Sequence, residues 1–525
     1  MTTEQICMLI AMGVYMAAVV IIGIICARRN KTTDDFYLGG RQLSPLVTAM
    51  SAEASDMSSW LLMGLPGLAY LTGISDAGWT ALGLLVGTYV NWLLVARRMR
   101  RYTVVASNSI TLPDFFSNRF HDKHKVLMSI SAIVILIFFV PYTASGFAAC
   151  GKLFSSLFGM NYLTAMILSA VVIVLYTAIG GFLAASTTDL MQGILMSVAL
   201  VVVLVFGVVT AGGVGAVVDN AQSIPGYLSM IDSYQPSTGT SVPYGTLNIF
   251  SMMAWGLGYF GMPHVLLRFM AIKDEKHLKT SRRIASSWVL ISLFAAVIIG
   301  IVGAAAIPSL VDRAGLVGAS DETLKAASST AETIFISIAD LLGRNGVAAA
   351  LIAGVILAGI LAATMSTADS QLLAASSSVS QNFFKGLICK KASERTTMIV
   401  ARATVIVIAI IGAVIASDPN SSIFDIVSFA WAGFGAAFGP VVLFSLFWKR
   451  TTLWGAFAGM LSGGAMVFIW KFLIKPIGGI WGIYELLPAF IVACAAILLV
   501  SLLGKKPSEE IEKEFELAAS KQPLE

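Results

Sequence analysis

The sequence predicts an all-α integral membrane protein of about thirteen transmembrane helices, with two five-helix halves of opposite orientation and flanking helices. Three observations predict it. Hydrophobic residues make up 57% of the 525-residue chain and charged residues only 12%, where a soluble protein carries about 25% charged residues. The apolar residues come in runs of roughly 20, the length of a bilayer-spanning helix. Two of these runs, five spans apart, are interrupted in their middle by glycine and proline.

In chain order the apolar segments fall at 6–27, 44–72, 77–96, 126–155, 161–181, 187–210, 244–270, 284–307, 344–379, 398–417, 421–448, 452–472 and 481–504. An odd number places the termini on opposite sides. The first run, in "MTTEQICMLIAMG", lacks a basic n-region and a small-residue cleavage site, so it is expected to be retained as a span. With the N-terminus outside, the inside segments hold Arg28, Arg29, Lys31, Arg41, Arg97, Arg98, Arg100 and Arg101. They also hold Arg119, Lys123, Lys125, the clusters Arg268 to Arg283 and Lys385 to Arg395, Lys449, Arg450 and the tail lysines. The outside segments keep Lys152, Arg313, Lys325, Arg344, Lys471 and Lys475, and the loop 211–243 has no Lys or Arg. This asymmetry sets a multi-pass protein of the cytoplasmic membrane, N-terminus outside and C-terminus in the cytoplasm. The expected organisation is an N-terminal helix and loop over 1–43, a first repeat with its outside loop over 44–243 and a second, inverted repeat over 244–450. Two further helices over 451–504 and a short charged tail over 505–525 complete it.

Composition narrows the function classes. The net charge of +5 sits in short patches between apolar runs, not along one helix face, which argues against nucleic acid as a partner. The five cysteines and four histidines are scattered, so no metal or redox cofactor is expected. No nucleophile–base constellation marks an enzyme. The tail is too short for a signalling or catalytic domain, which argues against a transporter-like sensor. The partners expected are the bilayer, an ion and a small solute, with no obligate protein partner.

The interruptions carry the functional signal. "SAEASDMSSWLLMGLPG", residues 51–67, places Glu53 and Asp56 in the second span and ends on Gly-Leu-Pro-Gly, where a break is expected. "WGLGYFGMP", residues 255–263, interrupts the seventh span. Freed backbone groups are tolerated in a membrane only where they line a polar site. Five is odd, so a five-span repeat must begin on the opposite face the second time, and an inverted repeat follows from parity. Small residues for close helix packing would explain one such span. Two at matching positions point to a transporter's binding site, which a channel does not need.

The residues beside the breaks fit an ion and a small solute. Ala363, Ser366 and Thr367 stand at i, i+3 and i+4, so two hydroxyls and a carbonyl share one helix face. Hydroxyls that merely bond back to their own helix are the alternative. Unwound carbonyls near Ala54 and Met57, with the Ser58 hydroxyl, would complete a cage of about five or six oxygens for a hard cation such as Na+. Asp56 costs roughly 2.5–3.5 kcal/mol at mid-bilayer. A neighbouring cation offsets that cost, and pairing with another helix is the alternative. Glu53, one turn before Met57, faces either a water-filled vestibule or a basic partner. Trp255, Tyr259 and Pro263 flank the second break, and Tyr142 follows Pro141 in the fourth span. Aromatic walls suit a small solute with an apolar body and an ammonium, and half-helix N-termini receive a carboxylate. A small zwitterion fits best; an interfacial aromatic belt is the alternative.

These stretches, with "YTAIGGFLAASTTDLMQG", "WGLGYFGMPHVLLRFMA", "AATMSTADSQLL" and "FAWAGFGAAFGPVVLFSLFWKR", resemble the sodium/solute symporter family along the whole chain. The stretch around Trp255 resembles its proline-transporting subfamily. The resemblance implies a LeuT-type core over spans two to eleven and Na+-coupled uptake of L-proline by alternating access. It implies Na+ at Ala54, Met57, Ala363, Ser366 and Thr367, with Asp56 and Ser58 also needed for sodium. It implies proline near Tyr142, Trp255, Tyr259 and Pro263, and an inward sodium exit past Asp189. Position alone would make Asp189 a solvated acid near the inside end of the sixth span. Glu53, Asp369 and the serines at 376–378 are where a departure from the subfamily pattern is expected, with consequences for cation or substrate choice. Pantothenate, another amino acid or a sugar is the alternative solute.

Overall fold

The computed structural model describes residues 1–27 and 37–520. Arg28, Arg29 and Lys31, counted above for an inside segment, lie outside the described residues, as do positions 521–525. Among the described residues ten helices are long and apolar enough to cross a membrane, where the sequence predicts thirteen spans. The remaining three predicted segments are the two interrupted ones and the shorter apolar helix Tyr162–Thr177.

The chain opens with α1 (Thr3–Ala27) and the interrupted second span, α2 (Pro45–Ser59) and α3 (Leu65–Thr72). Then come α4 (Ile74–Val105), the short α5 (Leu112–Arg119) and α6 (Val126–Phe158). Tyr162–Thr177 (α7) and Gly181–Thr210 (α8) meet at Gly181, whose φ of 70° and ψ of 179° only glycine adopts without strain. This turn is tighter than the five-residue junction expected there. The loop 211–243 contains α9 (Val214–Ser223) and an antiparallel hairpin, β1 (Asp232–Gln235) with β2 (Thr240–Pro243). The hairpin is a local departure from an all-α chain, in a polar segment free to pair its backbone with itself.

The second half begins with α10 (Thr246–Met253) and α11 (Pro263–Ala271), separated by a 3₁₀ stretch, Ala254–Phe260. It continues through α12 (Leu278–Ala306), the short α13 (Asp321–Ala331) and α14 (Ile334–Gly343), and α15 (Val347–Ser377). Next are α16 (Glu394–Ile415), α17 (Ile423–Phe447), α18 (Leu453–Ile469) and α19 (Leu486–Leu503). The tail, expected only as a charged segment, forms α20 (Glu509–Ala519), which docks on α4. There Arg101 reaches the carbonyls of Leu517 and Ala518, and Lys449 faces Glu512 and Glu516.

The break in the second span is not where Gly-Leu-Pro-Gly predicts it. The non-helical residue is Ser58, at φ 50° and ψ −172°, followed by a wide π-type turn over Trp60–Gly64. Pro66 sits in the first turn of α3, where its missing N–H breaks no helix bond. Gly67 serves packing: a Cβ there would lie 2.7 Å from the backbone of Glu332. The second break falls where the sequence places it, and glycines press it against α4. A side chain on Gly87 would strike the Gly256 carbonyl, and one on Gly256 the Gly83 carbonyl. The two interrupted spans meet where α2 packs on α11, and α15 packs along α2, α6 and α1. The centre of the bundle is therefore built from both breaks and the hydroxyl-bearing α15.

At the end of the bundle away from the docked tail, Glu332 ties four elements together. It lies at the corner between α13 and α14 and is buried. Its Oε2 accepts Lys152 Nζ of α6 at 2.6 Å and the Ile423 N–H at 3.0 Å. Its Oε1 accepts the Ser422 hydroxyl and the Phe424 N–H, both at 2.9 Å. The carboxylate thus satisfies free donors at the start of α17, where the helix dipole also favours an anion. Lys152, counted from the sequence as an outside-loop residue, is buried by this pairing. Removing one partner of such a pair costs about 3–5 kcal/mol. Glu332→Ala is expected to lower the thermal denaturation midpoint of the purified protein by several degrees. The double variant Lys152→Met/Glu332→Leu, which strands no charge, should recover part of that loss.

Candidate cation and substrate site

Unwinding at Ser58 frees carbonyls of α2 directly opposite α15. The Ser366 hydroxyl lies 2.8 Å from the Ala54 carbonyl and 3.1 Å from the Ala363 carbonyl. Three of the predicted cage residues are thus in contact across the two helices. Thr367, one residue on, is buried and its hydroxyl has no hydrogen-bond partner. The Met57 carbonyl accepts the Trp60 N–H, as does the Ser58 hydroxyl at 3.1 Å. All of these residues are buried. The arrangement offers neutral, hard oxygens from two helices, which is what an ion without strong directional bonding takes.

Asp56 joins this cluster to the aromatic residues. Its Oδ2 accepts the Tyr259 hydroxyl at 2.7 Å, and its backbone carbonyl accepts the Tyr142 hydroxyl at 2.8 Å. Its Oδ1 has no hydrogen-bond partner and lies 3.9 Å from His264 Nε2. Two residues predicted for the solute therefore also hold the break of the second span in place. Pro263 is the first residue of α11, beside His264, which is fully buried and went unread in the sequence. A single histidine in an apolar run was its only signal.

Trp255 stands further along, in an aromatic stack. Its ring centroid is 5.3 Å from Trp60, 5.3 Å from Phe424 and 5.1 Å from Tyr484, and its carbonyl accepts the Trp431 indole N–H at 2.7 Å. Tyr259 meets Trp431 edge-on at 5.1 Å. Trp60, Trp431 and Tyr484 come from three distant segments, so no local pattern announces them.

Three expectations about charge are corrected. Asp189 is not solvated: it is fully buried, and its Oδ2 accepts the Ser51 hydroxyl at 2.6 Å and Arg268 Nη2 at 3.1 Å. Arg268, expected at the inside end of its span, is buried with it and also donates to Ser51 Oγ at 2.9 Å and Ser370 Oγ at 2.6 Å. Glu53 faces neither a vestibule nor a basic partner. It is buried and its Oε1 accepts the Trp92 indole N–H at 2.9 Å. Hydropathy cannot see these pairings, because Asp189 and Arg268 lie 79 residues apart and meet only when α8, α11 and α2 pack. Asp369, next to the cage residues on α15, is buried too, with Oδ1 accepting the Ser370 hydroxyl at 3.3 Å.

Tyr259 donates to the Asp56 carboxylate, a bond to an acid group worth about 1.5–3 kcal/mol, and Tyr142 donates to its neutral backbone carbonyl, worth about 0.5–1.5 kcal/mol. Tyr259→Phe is expected to lower unfolding stability by about 1.5–3 kcal/mol and Tyr142→Phe by about 0.5–1.5 kcal/mol. Because both hold one residue, the double variant should lose less than the sum. Thermal denaturation of the four proteins, compared as a double-mutant cycle, measures this.

Comparison with known proteins shows the family and the fold. The model of the sodium:solute symporter family matches residues 36–463. The sodium/proline symporter of Escherichia coli K12 is 44% identical over 508 residues, covering 97% of this chain and 95% of that protein. The osmoregulated proline transporter OpuE of Bacillus subtilis 168 is 42% identical over 501 residues, 95% of this chain and 96% of that protein. Among solved structures, a Na+-coupled sialic acid symporter in a substrate-bound outward-open state superposes with a TM-score of 0.75 at 17% identity. It covers 96% of this chain and 99% of that one. That likeness gives the fold, a LeuT-type arrangement around two interrupted helices. With the family model spanning most of the chain and relatives matching it almost end to end, this protein belongs to the sodium:solute symporter family.

Proposed function

We infer that the chain carries L-proline into the cell together with Na+, by alternating access across the cytoplasmic membrane. The observation that carries this reading is the contact of Ser366 with the Ala54 carbonyl beside the buried, half-partnered Asp56. The relatives named as proline symporters and transporters support the choice of solute. Transport accounts for the residues without requiring a reaction, so the protein is read as a carrier and not an enzyme.

In this reading Na+ sits between α2 and α15, held by the carbonyls of Ala54, Met57 and Ala363 and the hydroxyls of Ser366 and Thr367. The Ser366 hydroxyl turns from donor to ligand when the ion enters. The ion then links two helices that otherwise share one neutral hydrogen bond, which favours their approach. Ser58 lies between this cage and Tyr142, so ordering the cage orders the wall of the solute site. Proline packs its ring against Tyr142, Tyr259 and Trp255 near Pro263. Asp56, beside the cage, stabilises the bound cation electrostatically. Asp189, whose Oδ1 has no hydrogen-bond partner, offers a second stop for Na+ on its way to the cytoplasm.

The positive-inside asymmetry supports an N-terminus outside and a docked tail in the cytoplasm, so Glu332 and Lys152 close the outer side. The proposed units are those read from the sequence, with repeats over 44–243 and 244–450. Uptake of radiolabelled L-proline into proteoliposomes tests the function. An inward Na+ gradient should drive accumulation above equilibrium, and accumulation that ignores the gradient would refute coupling. Asp56→Asn is expected to lose Na+-driven uptake while the protein still inserts. In Thr367→Ala a lost ligand oxygen of about 1–3 kcal/mol should raise the Na+ concentration for half-maximal uptake roughly five- to hundred-fold. Wild-type sodium dependence in both variants would rule out the cage.

A further inference from the structure

A narrow slit runs beside the break of the second span, and one of its side chains is used by nothing described so far. Gln371 of α15 is fully buried. Its Oε1 accepts the Thr143 hydroxyl at 3.1 Å, and its Nε2 has no partner. Ser58, Tyr142, Thr364 and Thr367 line the same slit, and the hydroxyls of Thr364 and Thr367 are also unpartnered. Buried polar groups usually find partners, and here three without one face a single space. The slit is too narrow here for a water molecule, so hydration does not satisfy them. An occupant of the right polarity would satisfy them once α6, α15 and the break part.

The polarity is legible. No charged side chain lines the slit. The free atom of Gln371 is a donor and calls for an acceptor. On the other side of Tyr142 lies Asp56, whose hydrogen bonds come from Tyr142 and Tyr259 and whose Oδ1 is free. One end of the region therefore donates and the other is anionic, which is the complement of a zwitterion. We propose that Gln371 is a substrate-binding residue that reads the carboxylate of a small amino acid, Nε2 donating to it while the ammonium faces Asp56. Thr143 is its positioning residue. A site built on a hydrogen bond rejects analogues lacking the matching group far better than an apolar wall does. This assignment rests on the reading of the chain as an amino-acid symporter.

The test is equilibrium binding to purified full-length protein in saturating Na+, with labelled L-proline and L-prolinamide as competitor. Wild type is compared with Gln371→Leu and Gln371→Met. Both variants should weaken L-proline about ten-fold or more and L-prolinamide less than about three-fold, because only the carboxylate loses a charge-assisted bond. Na+ binding measured without proline should stay within about three-fold, since the cage atoms are untouched. Equal weakening of both ligands, or unchanged L-proline binding, overturns the assignment. If neither variant inserts, Gln371→Asn carries the same ratio, since the shorter amide cannot keep both bonds. Failure of wild type to bind L-proline at any Na+ concentration overturns the reading on which it rests as well. An unchanged ratio with intact wild-type binding overturns this assignment alone.

Discussion

The constraint on which the rest depends is a carboxylate inside a broken helix, buried in a lipid-embedded bundle. Backbone groups freed by a break find no water there and must be met by protein or ligand. An ionised Asp56 without partners would not survive in that setting. The structure meets both demands with the same residues. Tyr142 from α6 takes the Asp56 carbonyl, Tyr259 from the second break takes its carboxylate, and Ser366 from α15 takes the Ala54 carbonyl. Three hydrogen bonds around one buried carboxylate and the freed carbonyls beside it thereby tie together three helices and both interruptions.

In the proposed reading the same economy couples ion and solute. Thr367 of the cage and Ser58 both line the slit, and Ser58 is the residue whose backbone leaves the helix. A change in the torsions of one residue alters both. The buried pairs elsewhere are the complementary part of the design. Arg268 with Asp189 joins α11, α8 and α2 near the cage, and Lys152 with Glu332 joins α6, the α13–α14 corner and α17 at the far end. Such pairs add little net stability over apolar packing but are costly to leave half-made. They favour helices that move as units between defined arrangements over helices that loosen.

What the sequence discloses follows from what is local. Span positions and the hydroxyl face of α15 are periodic features: ten of the predicted spans return as long apolar helices, and Ser366 and Thr367 are buried on α15. The second break is legible as a break because three glycines and a proline, Gly256 to Pro263, fall within about two helical turns. The first is displaced from Gly64–Gly67 to Ser58 because its cause is tertiary. Gly67 is needed for the close approach of Glu332, while Ser58 takes its left-handed backbone where Tyr142 and Tyr259 hold the adjacent Asp56. The same distinction separates Asp56, suspicious from its position alone, from Asp189 and Glu53. Their burial depends on Arg268 and Trp92, tens of residues away. Trp60, Trp431, Tyr484 and His264 stayed unread because aromatic and lone histidine residues are common in spans without function.

The closed slit gives the last step. In this arrangement the outer aromatic stack is packed, Glu332 is fully bonded, and yet Gln371, Thr364, Thr367 and Asp56 each keep an atom without a hydrogen-bond partner. These four atoms all lie where the ion and the solute are proposed to bind. Unmet donors and acceptors raise the free energy of the closed, unloaded state relative to a loaded one. A ligand shifts an equilibrium only by its differential affinity for the two states. Here the differential is built in, because an ion and a zwitterion would complete in one state contacts that the protein alone leaves open. A symporter requires that the loaded carrier close readily and the half-loaded carrier close poorly. Central groups left to pair with cargo meet that requirement with no further moving part.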